Sequence, residues 1–253
     1  MSFSSRSYVN RYIPSNRLPT GLKWLLICNV VIFVLKYVLH ASRADLFLDN
    51  FALVPAQVVQ TLALWQLVTY MFLHAGIGHI LWNMLGLWMF GAELERQWGT
   101  TKFLRFYFIC GICAGLTVVA AAYIFGGIDV ATVGSSGAVY AILMAYALIF
   151  PDQTILFGFL IPIKSKYFVM IIGAIVFLQS YSATVGGQGS NVAVVAHLGG
   201  LVAGFLMLRG KQLKLQIRQP VISNYKEWKL RRAKKKFEVY LRKQDSNRDR
   251  WVH

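Results

Sequence analysis

The sequence predicts an all-α integral membrane protein of six transmembrane helices, with a large, partly embedded loop between the first and the second. Three observations predict it: the composition, the arrangement of apolar residues in blocks, and the positions of the basic residues. Of 253 residues, 57% are hydrophobic and 14% charged, whereas a soluble domain carries about a quarter charged. The apolar residues form continuous runs rather than the amphipathic stripes of helices around a water-soluble core. That distribution excludes an ordinary soluble enzyme.

A short N-terminal segment, 1–20, precedes a first span at Leu22–Leu39. Its apolar run exceeds the roughly 7 to 15 residues of a signal peptide, and Lys36 to Ala44 offers only a weak cleavage site, so it is read as a retained helix. The stretch Ala41 to Gly76 follows, with an apolar piece of its own at Leu62–Leu73. Irregular backbone at membrane depth survives only against protein or a wet cavity, which makes this a partly embedded loop. Further spans are expected at Ile77–Ala92, Phe103–Phe125, Ser136–Phe150, Tyr167–Ser182 and Val192–Leu208. A full span takes about 17 to 25 residues. The second, fourth and fifth are short and fit if their ends face water. Pro151 closes the fourth, because the residue before a proline is biased away from helical geometry.

The basic residues test the count independently. With six spans and a cytoplasmic N-terminus, 24 of the 26 Lys and Arg lie inside, leaving Lys36 and Arg43. This satisfies the positive-inside rule, whereas an odd count would place the two terminal basic clusters on opposite sides. The expectation is a prokaryotic cytoplasmic (inner) membrane protein with both termini cytoplasmic. Residues 21–208 form the membrane domain and 209–253 a basic tail. The tail holds 15 Lys and Arg against 4 acidic residues, with Trp228, Phe237, Tyr240 and Leu241 interleaved. It reads either as a basic amphipathic helix on an anionic leaflet or as a solvated positive-inside tail. The aromatics form no known RNA-reading module, so no nucleic-acid partner is expected.

Cys28, Cys110 and Cys113 all fall in apolar spans, where the C-x-x-C spacing lacks the strand-to-helix context of a redox motif. In the same span Gly111 and Gly115 give the small-xxx-small spacing that lets helices approach closely.

The chemistry lies in a few polar residues inside these runs. Gly134-Ser135-Ser136-Gly137 opens the fourth span, and His197 lies in the sixth within Ala196-His197-Leu198-Gly199-Gly200. An ionisable group at membrane depth costs about 2 to 3 kcal/mol even on lenient insertion scales, so each is a functional-site candidate by default. A serine needs a base within hydrogen-bond reach to become a nucleophile. Gly200 and Gly204, facing Gly137 and Ala141, would let the two helices close until His197 reaches Ser136. Glu93 and Glu95 lie at an inner helix end, and Asp45, Asp49, Asp129 and Asp152 lie in loops. A third, carboxylate member is therefore not expected, and the reading is a Ser-His dyad with Tyr140, one turn below Ser136, packing against the imidazole. His74, His79 and Asn83 head the second span, His79 and Asn83 on one helical face. An imidazole N–H, an amide and the backbone N–H at the start of the Ser136 helix are suitable donors to an oxyanion. A metal site built on His74, His79 and His197 is the competing reading. Without a carboxylate or thiolate at that depth it is set aside, and neither metal nor cofactor is expected.

These motifs, in this order, resemble the rhomboid intramembrane serine proteases over roughly Ala63 to Arg209. The residues concerned are Gly134-x-Ser136-Gly137 with Tyr140 and Ala141, Ala196-His197-x-x-Gly200-x-x-x-Gly204, His74-x4-His79-x3-Asn83, and the turn Gly91-x3-Glu95-x3-Gly99. The resemblance implies a six-helix rhomboid bundle and an endopeptidase cutting transmembrane protein substrates. It implies Ser136 as nucleophile, His197 as general base and acid, and His79 with Asn83 as oxyanion donors. The alternative is a catalytically silent rhomboid-like factor that binds membrane proteins. One departure stands out: where many members carry Trp-Arg in the outer loop, this chain has Trp65-Gln66.

Overall fold

The computed structural model describes residues 18–40, 46–157, 161–185 and 194–210. Its elements, in order, are α1 (Thr20–His40), α2 (Leu46–Asp49), α3 (Pro55–Gln60), α4 (Gln66–Thr69), a 3₁₀ turn (Tyr70–Phe72), α5 (Ile77–Trp98), α6 (Thr100–Phe125), α7 (Ser136–Ile149), β1 (Thr154–Phe157), β2 (Ile161–Lys164) and α8 (Ser165–Val185). A last helix, α9, runs Val194–Gly210. Residues 1–205 make one compact unit and 206–253 a second. Residues 1–17 and the basic tail from 211 lie outside the described residues, as do the expectations attached to them.

Among the described residues, α1 and α6 are long and apolar enough to cross a membrane, while α7 and α9 are shorter apolar helices. Trp24, Val30, Val31, Val34, Leu35 and Val38 on α1, and Met170, Ile171, Phe177 and Leu178 on α8, are exposed. Water penalises apolar surface of that extent. A bilayer does not. α5 continues past the expected end at Ala92 to Trp98, because the polar Glu93, Glu95 and Arg96 lengthen the helix without lengthening its apolar run. Gly99, at φ 79°, then turns the chain directly into α6.

That turn ties α1 to α5. The Glu95 carboxylate, 2% exposed, accepts the Gly21 and Leu22 N–H groups at 2.8 and 2.7 Å and the Thr100 hydroxyl at 2.6 Å. A negative side chain thus serves the first turn of α1, where amides lack intrahelical partners and the dipole favours an anion.

Of the 41–76 stretch, the described residues 46–76 are structured rather than irregular. Leu53 and Thr132 exchange backbone hydrogen bonds at 3.0 and 2.8 Å, Ala56 N–H donates to Ile128 O at 2.8 Å, and Gly134 N–H to Tyr70 O at 2.9 Å. These bonds strap the loop onto the segment leading into Ser136. Gln66, 1% exposed, accepts from Val54 N–H at 3.0 Å and donates to Asn50 O and Gln57 Oε1 at 3.1 and 2.6 Å. A neutral amide therefore joins three points of this loop.

Gly111 and Gly115 form a notch on α6 that takes side chains of the 46–76 stretch as well as the neighbouring helix α7. A methyl group at Gly111 would strike the Met71 side chain, and one at Gly115 would meet Tyr70, Leu67 and Leu53 at 3.3 to 3.5 Å. The notch receives the loop, and the Tyr70 hydroxyl donates to Gly111 O at 2.7 Å. Close helix contact occurs between α6 and α7, where a methyl at Gly137 would lie 2.5 Å from the Ala114 Cβ, and also between α7 and α9. A methyl at Gly200 would fall on the Gly137 carbonyl, and one at Gly204 would lie 2.8 Å from Ala141 O. The hairpin β1–β2, antiparallel with Thr154 opposite Lys164, is absent from the sequence-based expectation.

Candidate active site

Ser136 is the first residue of α7, and Ser135 before it occupies the N-cap position without making a side-chain capping bond. Its Oγ lies 3.5 Å from His74 Nε2 instead. The first turn of α7 thus keeps the amides of Ser136, Gly137 and Ala138 ahead of its first helical bond, Val139 N–H to Ser135 O at 3.0 Å. Unused amides at a helix start make a binding place for an anion.

His197 Nε2 lies 2.8 Å from Ser136 Oγ. The close approach of α9 to α7 at Gly200 places them so. The Tyr140 ring stacks on the imidazole with centroids 4.5 Å apart at 25°, fixing its plane. His197 Nδ1 is buried without a hydrogen-bond partner among the described residues. For Nε2 to accept the serine proton, Nδ1 must carry the other one. Stacking, rather than a carboxylate, then holds the ring.

His79 sits over Gly134, whose φ of 118° and missing side chain make room for it: a methyl there would be 2.6 Å from His79 Nε2. Ala75 N–H points at His79 Nδ1 from 3.4 Å, which leaves Nε2 as the donor facing the serine loop. Asn83 Nδ2 donates to His79 O at 2.9 Å. One amide hydrogen of Asn83 is therefore engaged on its own helix and the second remains for the cavity, since a side-chain amide carries two.

Ser136, His197, His79, Asn83 and Tyr140 all line one cavity of about 760 Å³ between α5, α7 and α8. Its remaining wall is mostly apolar, with Trp82, Gly86, Val139, Phe168 and Ile172 among the lining residues. His74 does not belong to it, contrary to its expected place beside His79 and Asn83. Although its ring meets that of His79 edge-on at 5.1 Å, it lines a separate cavity of about 460 Å³ with Lys36 and His40. It stands behind Ser135, where spacing alone could not place it. Sequence reasoning missed Gly86, which leaves room against Val139, and also Ile155 and Leu156 of β1, which reach this cavity from the hairpin.

The Rhomboid domain family model matches residues 61–210. A putative rhomboid protease, YdcA of Bacillus subtilis (strain 168), is 32% identical over 143 residues, 56% of this chain and 65% of that protein. The rhomboid protease GluP of the same organism is 32% identical over 142 residues, 56% of this chain and 25% of GluP. The rhomboid protease GlpG of Yersinia pseudotuberculosis (serotype I, strain IP32953) is 28% identical over 184 residues, 70% of this chain and 59% of GlpG. The chain spans less than two thirds of the length of each.

Proposed function

The chain belongs to the rhomboid family of helical membrane proteins, and from that premise we propose that it is an intramembrane serine endopeptidase working by a Ser136–His197 dyad. The 2.8 Å approach of His197 Nε2 to Ser136 Oγ, at the head of an apolar cavity, carries the reading. Oγ attacks the scissile carbonyl as its proton passes to Nε2. The oxyanion is met by the N–H groups at the start of α7, by His79 Nε2 and by the free amide hydrogen of Asn83. Protonated His197 then gives its proton to the departing amine, which leaves an acyl-serine. Water attacks that ester, again losing a proton to His197, and frees the new carboxylate. A peptide bond in a regular helix is already hydrogen-bonded and shielded, so the substrate unwinds locally, and helix-weak sequences rich in Gly or Pro near the cut are preferred.

Labelling of Ser136 by a fluorophosphonate tests the reading and separates it from a silent, substrate-binding relative. A labelled Ser136 supports the protease, and a serine inert in a correctly inserted protein contradicts it.

Loss of a single oxyanion donor, in His79→Ala or Asn83→Ala, is expected to slow turnover about 10- to 1,000-fold, because backbone donors remain. His74→Ala, outside the cavity, should do less. Wild-type rates in both His79→Ala and Asn83→Ala would remove these residues from the mechanism.

We further propose six membrane spans, α1 and α5 to α9, with both termini cytoplasmic, on the strength of the 24 basic residues then gathered on one side. Topology reporters fused at either end should both read the cytoplasm. An outside reading at the C-terminus would reverse the face on which the dyad opens.

A further inference from the structure

The cavity below Ser136 ends on a structure that the proteolytic chemistry does not use. Its α5 wall runs from Gly78 to Phe90, about 18 Å at helical rise. Phe90 stacks on Phe168 of α8 with centroids 6.0 Å apart and meets Tyr146 of α7 edge-on at 5.1 Å. Beside these rings, Ile155 and Leu156 of β1 line the same cavity. Leu156 is 54% exposed, an apolar side chain on a hairpin that leaves it without full cover.

The hairpin is fastened where it leaves the bundle. Asp152 pairs with Lys166 at 2.8 Å and Lys164 at 3.2 Å, and these two ammonium groups, Lys166 first, hold its carboxyl below the ordinary range. Ser165 N–H donates to Gln153 O at 2.9 Å, Lys166 N–H to Pro151 O at 3.2 Å, and the Ser165 hydroxyl to Phe150 O. Strand β1 is thus joined both to the end of α7, the helix that carries Ser136, and to the start of α8. An extended chain advances about 3.3 Å per residue, so about five residues of unwound substrate reach from one end of the α5 wall to the other.

We propose that the hairpin is a substrate-specificity element: Ile155 and Leu156 receive an apolar side chain of the transmembrane substrate, about five residues from the scissile bond on its membrane side. This rests on the protease reading above. The occupant follows from continuity, since the groove that ends at Leu156 begins at Ser136 and His197, and its walls are apolar. A charged substrate side chain at that position meets no polar partner among Phe90, Ile155, Leu156, Phe168 and Ile172.

The test uses the full chain in liposomes, with a transmembrane reporter and a short peptide that occupies only the dyad end. Ile155→Ser with Leu156→Ser should raise KM for the transmembrane reporter about tenfold, as expected from losing apolar contact area. The reporter's kcat, the rate on the short peptide and the fluorophosphonate labelling of Ser136 should stay within about twofold of wild type. Equal losses on both substrates, or no loss on either, overturn the proposal. A second measurement does not depend on activity. With a photo-crosslinking amino acid in place of Leu156, in the Ser136→Ala background, adducts should form at reporter positions about five residues on the membrane side of the cut. Their absence in an inserted protein overturns the proposal even where the chain with Ser136 intact cleaves the reporter normally. Adducts in the Ser136→Ala protein, together with a Ser136 that never labels in the unsubstituted chain, would leave a substrate groove and sink the protease reading alone.

Discussion

Ser136→Ala and His197→Ala are each expected to abolish cleavage of a reporter transmembrane helix in liposomes, with both proteins still inserted. The 2.8 Å Oγ to Nε2 contact makes the pair one device. Without the imidazole the hydroxyl has no base, and without the hydroxyl the imidazole has nothing to activate. Effects within such a unit do not add, so the double variant should be no slower than either single one. Rates measured by appearance of the cleaved fragment decide it. Substantial turnover in Ser136→Ala would exclude the serine mechanism, and a double variant far slower than both singles would show that the two residues act separately.

The second large effect comes from one methyl group that adds no polar or reactive atom and presses on the backbone next to Ser136. In Gly200→Ala the added carbon falls on the Gly137 carbonyl. Backbone cannot yield as a flexible side chain can, so α9 and α7 must separate. Overpacking of this sort costs about 1 to 3 kcal/mol of stability. The rate should suffer more, because a misplacement of about 1 Å in a reacting pair costs roughly 100-fold. Gly173→Ala in α8 is the matched control, since its methyl would stand 3.9 Å from Leu201, an ordinary contact. A hundredfold slower Gly200→Ala beside a near-normal Gly173→Ala is the expected result. Equal rates in the two variants would mean that the α7–α9 contact does not set the dyad.

Much of the helical framework is legible in the sequence because a membrane helix must be apolar along its whole length, and such blocks have visible ends. α1 and α6 begin and end within three residues of the stretches expected. α5 is the exception at its C-terminal end, where the polar Glu93, Glu95 and Arg96 extend the helix and Glu95 alone of the three is buried in an interior that the sequence alone does not reveal. The juxtaposition of Ser136 with His197 is legible for another reason: the glycines at 137, 200 and 204 mark where two helices lack the side chains that would hold them apart. The same signal at Gly111 and Gly115 is ambiguous, since spacing announces a notch without saying what fills it. Met71 and Tyr70, from a loop, fill it here. The hairpin escapes altogether. Two four-residue strands are too short for a period, and their reach into the cavity depends on Asp152, Lys164 and Lys166 folding back on one another.

Glu95 draws a boundary that sequence similarity does not. The family match begins at residue 61, which leaves α1 outside the shared region, as if it were an accessory that could be trimmed. Two of the three donors to the buried Glu95 carboxylate are the backbone amides of Gly21 and Leu22 in α1. A fragment cut at the edge of the match would keep the acid, lose both amides and retain the Thr100 hydroxyl. The smallest excisable piece of this protein is therefore set by where an anion finds its neutralising ends, and it starts some forty residues earlier than the family-model match.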